Sequence, residues 1–278
     1  MSTVDTGLVK KPHQTERYTQ GQVDELGKCI QDPIHFINSY TNIQHPLKGR
    51  LQFNLFDFQR TLIETYHTHK YSITMMARQT GKSTTAAAYL LWYAMFKPDS
   101  TILVASNKYA NAQEIKTKLR FAYETCPDFL RAGCIAYNKG SIEFDNGSRI
   151  HAQATTDNTG RGLSISLLYC DEFAFVNPSI ADEFWTSMSP TLATGGRAII
   201  TSTPNSDEDT FAIIWKESQN KFDENGLEQA VGINGFHGFT ANWDEHPDRD
   251  EQWATDAVGR IGDESFRREY GCEFLVYE

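Results

Sequence analysis

Four short segments carry side chains with chemistry to offer. Gly81-Lys82-Ser83 lies in ARQTGKS, between an apolar, β-leaning stretch, YSITMM, and a helix-forming one, TTAAAYLLWYAMF. A glycine turn between strand and helix aims backbone N–H groups and a helix N-terminus at one point, which suits phosphate. There Lys82 would neutralise β and γ phosphates, and the Ser83 hydroxyl would ligate Mg²⁺. Arg78, Gln79, Thr80, Gly81, Lys82, Ser83 and Thr84 are the candidate phosphate-binding residues. The full pattern G-x-x-x-x-G-K-[ST] is not met, because Met76 stands where its first glycine belongs. The competing reading is a glycine-kinked helix start with an exposed lysine.

Asp171-Glu172 ends the apolar run SLLYC. An Asp there can hold Mg²⁺, and the adjacent Glu can polarise an attacking water; the alternative is a solvated acidic pair. Ser202-Thr203-Pro204 ends RAIITS, and its hydroxyls could sense a γ-phosphate; alone it reads as a strand exit punctuated by proline. Gln59 in LFDFQR could read the adenine edge, since an amide offers donor and acceptor. Arg78 lies within reach of the loop, and Arg161 lies between Gly160 and Gly162 in the polar TTDNTGRGLS. Either could stabilise charge on a transferring phosphoryl group, because the planar guanidinium fork matches phosphate oxygens.

The elements that must position these residues alternate. Residues 51–67 predict a helix after Asn54, a plausible cap. Strands are expected at 71–76, 101–105, 166–170 and 197–202, and helices at 84–96, 109–125, 180–188 and 210–217. Asp145-Asn146-Gly147-Ser148 predicts a hairpin between 141–144 and 149–154, because Asn-Gly tolerates positive φ. Near-continuous apolar strands separated by helices imply a mostly parallel sheet covered on both faces, with ligands at the carboxyl ends of its strands. ARQTGKS, DE and STPN all fall at such ends and so can converge on one crevice.

The chain has 278 residues, with 26 Lys+Arg against 36 Asp+Glu, a formal charge of −10. A surface that wraps nucleic acid throughout would be basic, so any DNA contact must be local or supplied by a partner. No apolar run approaches the roughly 20 residues of a bilayer span, which argues against a membrane partner. The polar start lacks a signal-peptide pattern, so secretion is not expected. Five scattered cysteines, never spaced C-x-x-C, point to a reducing compartment. His67-x-His69, the five tryptophans and the acidic run 244–250 read as surface, packing and solvated charge.

LFDFQR, MMARQTGKSTTAA, NKGSIEFDNGSRI, GRGLSISLLYCDEFAF, ITSTPN and REYGCEF follow one another in that order. Together they resemble the ATPase domain of the large terminase subunit, the DNA-packaging motor of tailed bacteriophages, from about Phe53 to Phe274. The resemblance implies an α/β phosphate-loop NTPase of the RecA/ASCE-like kind, with a mostly parallel sheet flanked by helices and a small lid-like subdomain. Residues 1–50 would be an N-terminal lead and part of that subdomain, 51–220 the nucleotide-binding core, and 221–278 a C-terminal small subdomain. The family's C-terminal nuclease domain is expected to be absent from this chain.

By the same resemblance, Lys82 and Ser83 bind the phosphates and Mg²⁺ of ATP. Asp171 is the Mg²⁺ carboxylate and Glu172 the catalytic one. Gln59 matches the adenine-motif glutamine, and Ser202-Thr203-Pro204 the coupling motif. Arg78 and Arg161 compete for the arginine finger, Arg161 in trans on a neighbouring subunit. The implied partners are double-stranded DNA, the portal protein ring, the small terminase subunit and further copies of the chain in a ring. The implied location is the host cell cytoplasm, transiently on the procapsid. Two other readings stand beside it. A helicase-like remodelling ATPase would need a second RecA-like domain, for which the residues after Lys221 are too few. A nucleotide-responsive adaptor would bind ATP without turnover, which an intact Glu172 argues against.

Overall fold

The computed structural model describes residues 8–274. The first seven residues of the expected lead and the last four of the expected C-terminal subdomain lie outside the described residues. The chain builds α1 (Gln20–Gln31), α2 (Pro33–Tyr40), β1 (Asn42–His45), β2 (Gly49–Gln52), α3 (Asp57–Thr68), β3 (Tyr71–Met76), α4 (Lys82–Phe96), β4 (Thr101–Ser106) and α5 (Tyr109–Glu124). It continues with β5 (Cys134–Tyr137), β6 (Ser141–Phe144), β7 (Arg149–Ala154), β8 (Leu167–Asp171), α6 (Pro178–Ala193), β9 (Arg197–Ser202), α7 (Thr210–Gln219), β10 (Phe236–Ala241), α8 (Glu251–Ile261) and α9 (Asp263–Glu269).

Eight strands form one sheet in the order β10-β3-β9-β8-β4-β7-β6-β5. The strands from β10 to β7 are parallel, and β7-β6-β5 is an antiparallel extension. The hairpin expected at Asn146-Gly147 joins β6 to β7, with Gly147 at φ +86°. Strand alternation divides β4 between two faces. Ile102 and Val104 pack with α3, α4 and α5 on one side, while Leu103 and Ala105 pack with α6 and α7 on the other. Helix α4 is buried nearly all round, and Ala86, Ala87 and Ala88 let it lie close to the sheet.

The pairings Met75–Ser202, Thr201–Asp171 and Asp171–Ser106 set the carboxyl ends of β3, β9, β8 and β4 abreast. The three chemically loaded segments therefore leave the sheet along one edge, in the order that a shared crevice requires.

Three expectations need correction. Asn54 does not cap α3; the N-cap is Phe56, extended at φ −70° and ψ 161°, whose N–H donates to the Gln59 carbonyl oxygen Oε1 at 3.0 Å. The residues before α1 are not a free lead: Lys10 O accepts from Cys134 N at 2.9 Å, and Lys10 Nζ reaches Glu16 and Asp128 O. The expected boundary at residue 220 cuts the sheet, because β10 pairs with β3 along its whole length. A run of six residues with half-buried positions (FHGFTA) carries too little apolar signal to be seen as a strand alone; the partner strand supplies the hydrogen bonds.

At the opposite edge the rings of His69 and His237 stack at 3.9 Å, inclined by 4°. Burial, then the neighbouring His237, holds His69 below its ordinary value. The folded state thus favours the neutral ring. The resulting stability is present above the unfolded value of about 6.5 and is lost as pH falls from there through the lowered folded value. The urea midpoint should therefore fall between about pH 7.5 and pH 5.5, and fall less in His69→Gln. Equal falls in both proteins would remove this pair as a cause.

Candidate phosphate-binding cleft

The segment leaving β3 is held from several sides. Ala77 N donates to Ala241 O at 2.9 Å, continuing the β3–β10 ladder by one residue. Thr80 Oγ1 donates back to Ala77 O at 2.7 Å and closes the loop. Gln79 and Gly81 sit at φ +59° and +78°, the left-handed region. Gly81 is demanded twice over: beyond its φ, a Cβ there would lie 2.6 Å from Gln59 Nε2. Gly81 O then accepts from Thr85 N at 2.9 Å, the first bond of α4.

Opposite the loop, β8 delivers Asp171 and Glu172. Lys82 Nζ donates to Glu172 Oε1 at 3.0 Å, with Lys82 only 8% exposed. Glu172 sits at φ +51°, unusual for a residue with a side chain. The turn that follows fixes it, Phe175 N donating to Glu172 O at 3.0 Å. Asp171 is buried, and burial pushes its carboxyl up to about 6, with Lys82 opposing and Glu172 adding to the rise. An open cleft of about 640 Å³ lies between these groups, lined by Arg78, Gln79, Gly81, Lys82, Ser83, Thr84, Asp171 and Glu172. Cation, hydroxyl and carboxylates drawn from strand ends 90 residues apart in sequence thus face one cavity.

The other candidates are placed differently. Gln59 is buried and uses its amide on backbone: Nε2 donates to Thr80 O at 3.0 Å, and Oε1 accepts from Phe56 N. It braces the loop from the side of α3. Ser202, Thr203 and Pro204 are buried behind the cleft rather than lining it. Ser202 Oγ accepts from Ala174 N at 3.3 Å, so the end of β9 is tied to the turn that follows Glu172, and Thr203 Oγ1 is buried with no hydrogen-bond partner among the described residues.

Arg78 is exposed and its guanidinium is ion-paired with Glu269. Arg161 is not brought to the cleft. Its loop crosses β4, from Thr155 N on Ser106 O to Ser166 N on Thr101 O. The preceding Gly160 packs on Leu103, Met188 and Ile165, which belong to the face opposite α4. Arg161 itself is exposed there.

Several residues in and around the cleft escaped the sequence reading. Tyr270 lines the cavity, as do Asn107, Asn111, Glu114 and Lys118 from the region of α5. Arg249 donates from Nη2 to the carbonyls of Arg78 and Gln79 at 2.9 and 3.0 Å. Arg78 N donates to Glu269 O at 2.9 Å, so residues 242–274 form a wall against the loop. Tyr270 and Glu269 belong to REYGCEF, which stood out as a motif. Arg249 is masked by an acidic run, and no spacing rule marks it.

A family model described as "Terminase large subunit, T4likevirus-type, N-terminal" matches residues 73–276. Among solved structures, the large terminase ATPase domain of Thermus phage P74-26 is 22% identical, with a TM-score of 0.63, covering 80% of this chain and 95% of that one. The large terminase of bacteriophage HK97 is 16% identical, with a TM-score of 0.69, covering 88% of this chain and 55% of its own length. A further large terminase from a thermophilic bacteriophage, solved in complex with ADP, is 12% identical, with a TM-score of 0.60, covering 80% of this chain and 54% of its own. At these identities the likeness speaks for the fold. The chain spans about half the length of the HK97 protein and of the ADP-bound one.

Proposed function

The chain belongs to the terminase large subunit family, its N-terminal model matching residues 73–276, and from that premise we propose that it is the ATP-hydrolysing unit of a viral DNA-packaging motor. One observation carries the reading: Lys82 and Glu172, from the ends of β3 and β8, meet at 3.0 Å in a cleft beside a helix N-terminus. The ADP-bound terminase from the thermophilic phage, of the same fold, has also been seen with ATP-gamma-S.

In this reading the β and γ phosphates of ATP lie against residues 79–84. Lys82 turns from Glu172 to the phosphates, and Glu172, freed of its partner, orients a water for attack on the γ-phosphorus. A Mg²⁺ ion fits the donors present. Ser83 offers a hydroxyl and Asp171 a carboxylate. Among the described residues no cluster of three or more His, Cys, Asp or Glu makes an all-protein cage. Hard oxygens, few in number, suit an ion that keeps waters and shares substrate phosphates. When bound, Mg²⁺ would neutralise charge developing between the phosphates.

The Ser202–Ala174 link offers a route from Glu172 to β9, and so a coupling path for residues 202–204 to movement of double-stranded DNA. Portal ring, small terminase subunit and neighbouring copies are the proposed partners, with action on a procapsid in the host cytoplasm. The test is phosphate release from ATP and Mg²⁺, with and without DNA and an assembled portal ring. Stimulation by DNA on the ring is expected; no release under any condition would sink the reading.

The exposed Arg161 does not line its own cleft, and in this reading it serves a neighbour's. A supplied arginine finger is worth about 10³–10⁵ in rate. Arg161→Ala and Glu172→Gln should each be inactive alone, yet regain activity when mixed, because an intact Glu172 then receives Arg161 from beside it. A mixture that stays dead while the wild type assembles and turns over would shift the role to Arg78.

A further inference from the structure

We propose that Arg249 is a positioning residue for the phosphate loop, gripping it from behind through the carbonyls of Arg78 and Gln79. The inference rests on the nucleotide reading above and names a residue to which that reading gives no part. Arg249 does not line the cleft. Its Nη2 reaches Arg78 O and Gln79 O at 2.9 and 3.0 Å, two charge-assisted bonds from one nitrogen. The guanidinium is itself held in place, 4.5 Å above the Trp253 ring and 5.6 Å from that of Tyr270. Trp253 in turn stacks on Trp243 and packs against Phe266.

The geometry matters because a peptide group is planar and trans. Each carbonyl held on Arg249 turns the N–H of the next residue the opposite way. The two bonds therefore orient the N–H groups of Gln79 and Thr80 away from Arg249. Gln79 lines the cleft while Thr80 is buried beside it, so the Gln79 N–H is the donor of the two that a phosphate would meet there. The grip also explains how Gln79, which has a side chain, keeps φ +59° in an exposed loop. Gln59 holds the next carbonyl, that of Thr80, from the other side. Three successive carbonyls are thus fixed by two side chains, one before the loop in sequence and one 170 residues after it.

Arg249→Gln shortens the reach and removes the charge and the stack. The expected result is faster amide hydrogen exchange confined to residues 79–83, weaker ADP binding, and kcat/KM lower by roughly the 10²-fold of a 1 Å misplacement. Arg249→Lys keeps the charge but has neither planar fork nor stacking face, so it should recover only part of the loss. A residue that merely docked α8 would lower the melting temperature, leave ADP affinity unchanged at temperatures where the variant is folded, and be rescued equally by any large side chain.

Unchanged exchange at 79–83 in a folded Arg249→Gln protein would overturn the proposal. Should that variant not fold, Trp253→Leu tests the same grip, with the same local exchange expected and its absence equally fatal. The two readings fail separately. Wild-type protein that binds no ADP refutes the nucleotide assignment, while the exchange experiment, done without nucleotide, still decides whether Arg249 holds the loop.

Discussion

Glu172→Gln should bind ATP and hydrolyse it roughly 10²–10⁴-fold more slowly, the range for a lost general base. The substitution keeps the side chain's length and one oxygen that can still accept from Lys82. It also keeps the backbone at φ +51°, where Gln, unbranched at Cβ like Glu, meets the same resistance. What disappears is the negative charge that draws a proton from water. Equilibrium binding of a fluorescent ATP analogue and single-turnover phosphate release separate the two quantities. If binding vanishes along with turnover, Glu172 holds the metal or the fold rather than the water.

Lys82→Ala should abolish measurable hydrolysis and weaken nucleotide binding together. Lys82 is the buried cation that faces both carboxylates, lying on Glu172 and lowering the Asp171 carboxyl against its burial. Without it Asp171 and Glu172 lose their nearest cation, and Lys118 and Arg78, the remaining cations of the lining, do not pair with them, which leaves an unfavourable place for a polyphosphate. The loss of a phosphate-directed charge as buried as that of Lys82 is worth on the order of several kcal/mol. Near-normal turnover in a folded Lys82→Ala protein would mean that the loop has been misassigned. Lys82→Arg is informative beside it: a charge is kept, but the wider fork meets a tightly packed first turn, so binding should return before turnover does.

Much of the fold was legible because its signals are local. YSITMM, TILVA, SLLYC and RAIITS are short apolar runs, and each became a strand buried on both faces. Asn146-Gly147 needed only its own backbone freedom to announce a turn. Less legible were elements whose reason lies elsewhere in the chain. β10 is a strand because β3 is beside it. Lys10 is buried because the turn at Asp128 and the first bond of β5 receive it. Asn54 has a capping side chain, but the chain does not bend into α3 until Phe56, where Gln59 takes the capping role.

The site divides along the same line. Gly81, Lys82, Ser83, Asp171 and Glu172 could be named from type and place, since a strand end followed by a glycine turn or a carboxylate pair has few uses. Their convergence was implied by the rule that parallel strands share a carboxyl edge. Only the folded chain decided the distances and the partners. It directed the Gln59 amide to the backbone of Thr80, paired Arg78 with Glu269, and sent Arg161 to the opposite face of the sheet. It also brought Arg249 to a loop 170 residues earlier, and Tyr270 to the same cleft. Local sequence determines what a residue can do and which way its backbone runs. Which groups meet depends on strand order, with β9 between β3 and β8, and on what packs behind the loop. Those are properties of the whole sheet and its covering helices, to which no single segment holds the information.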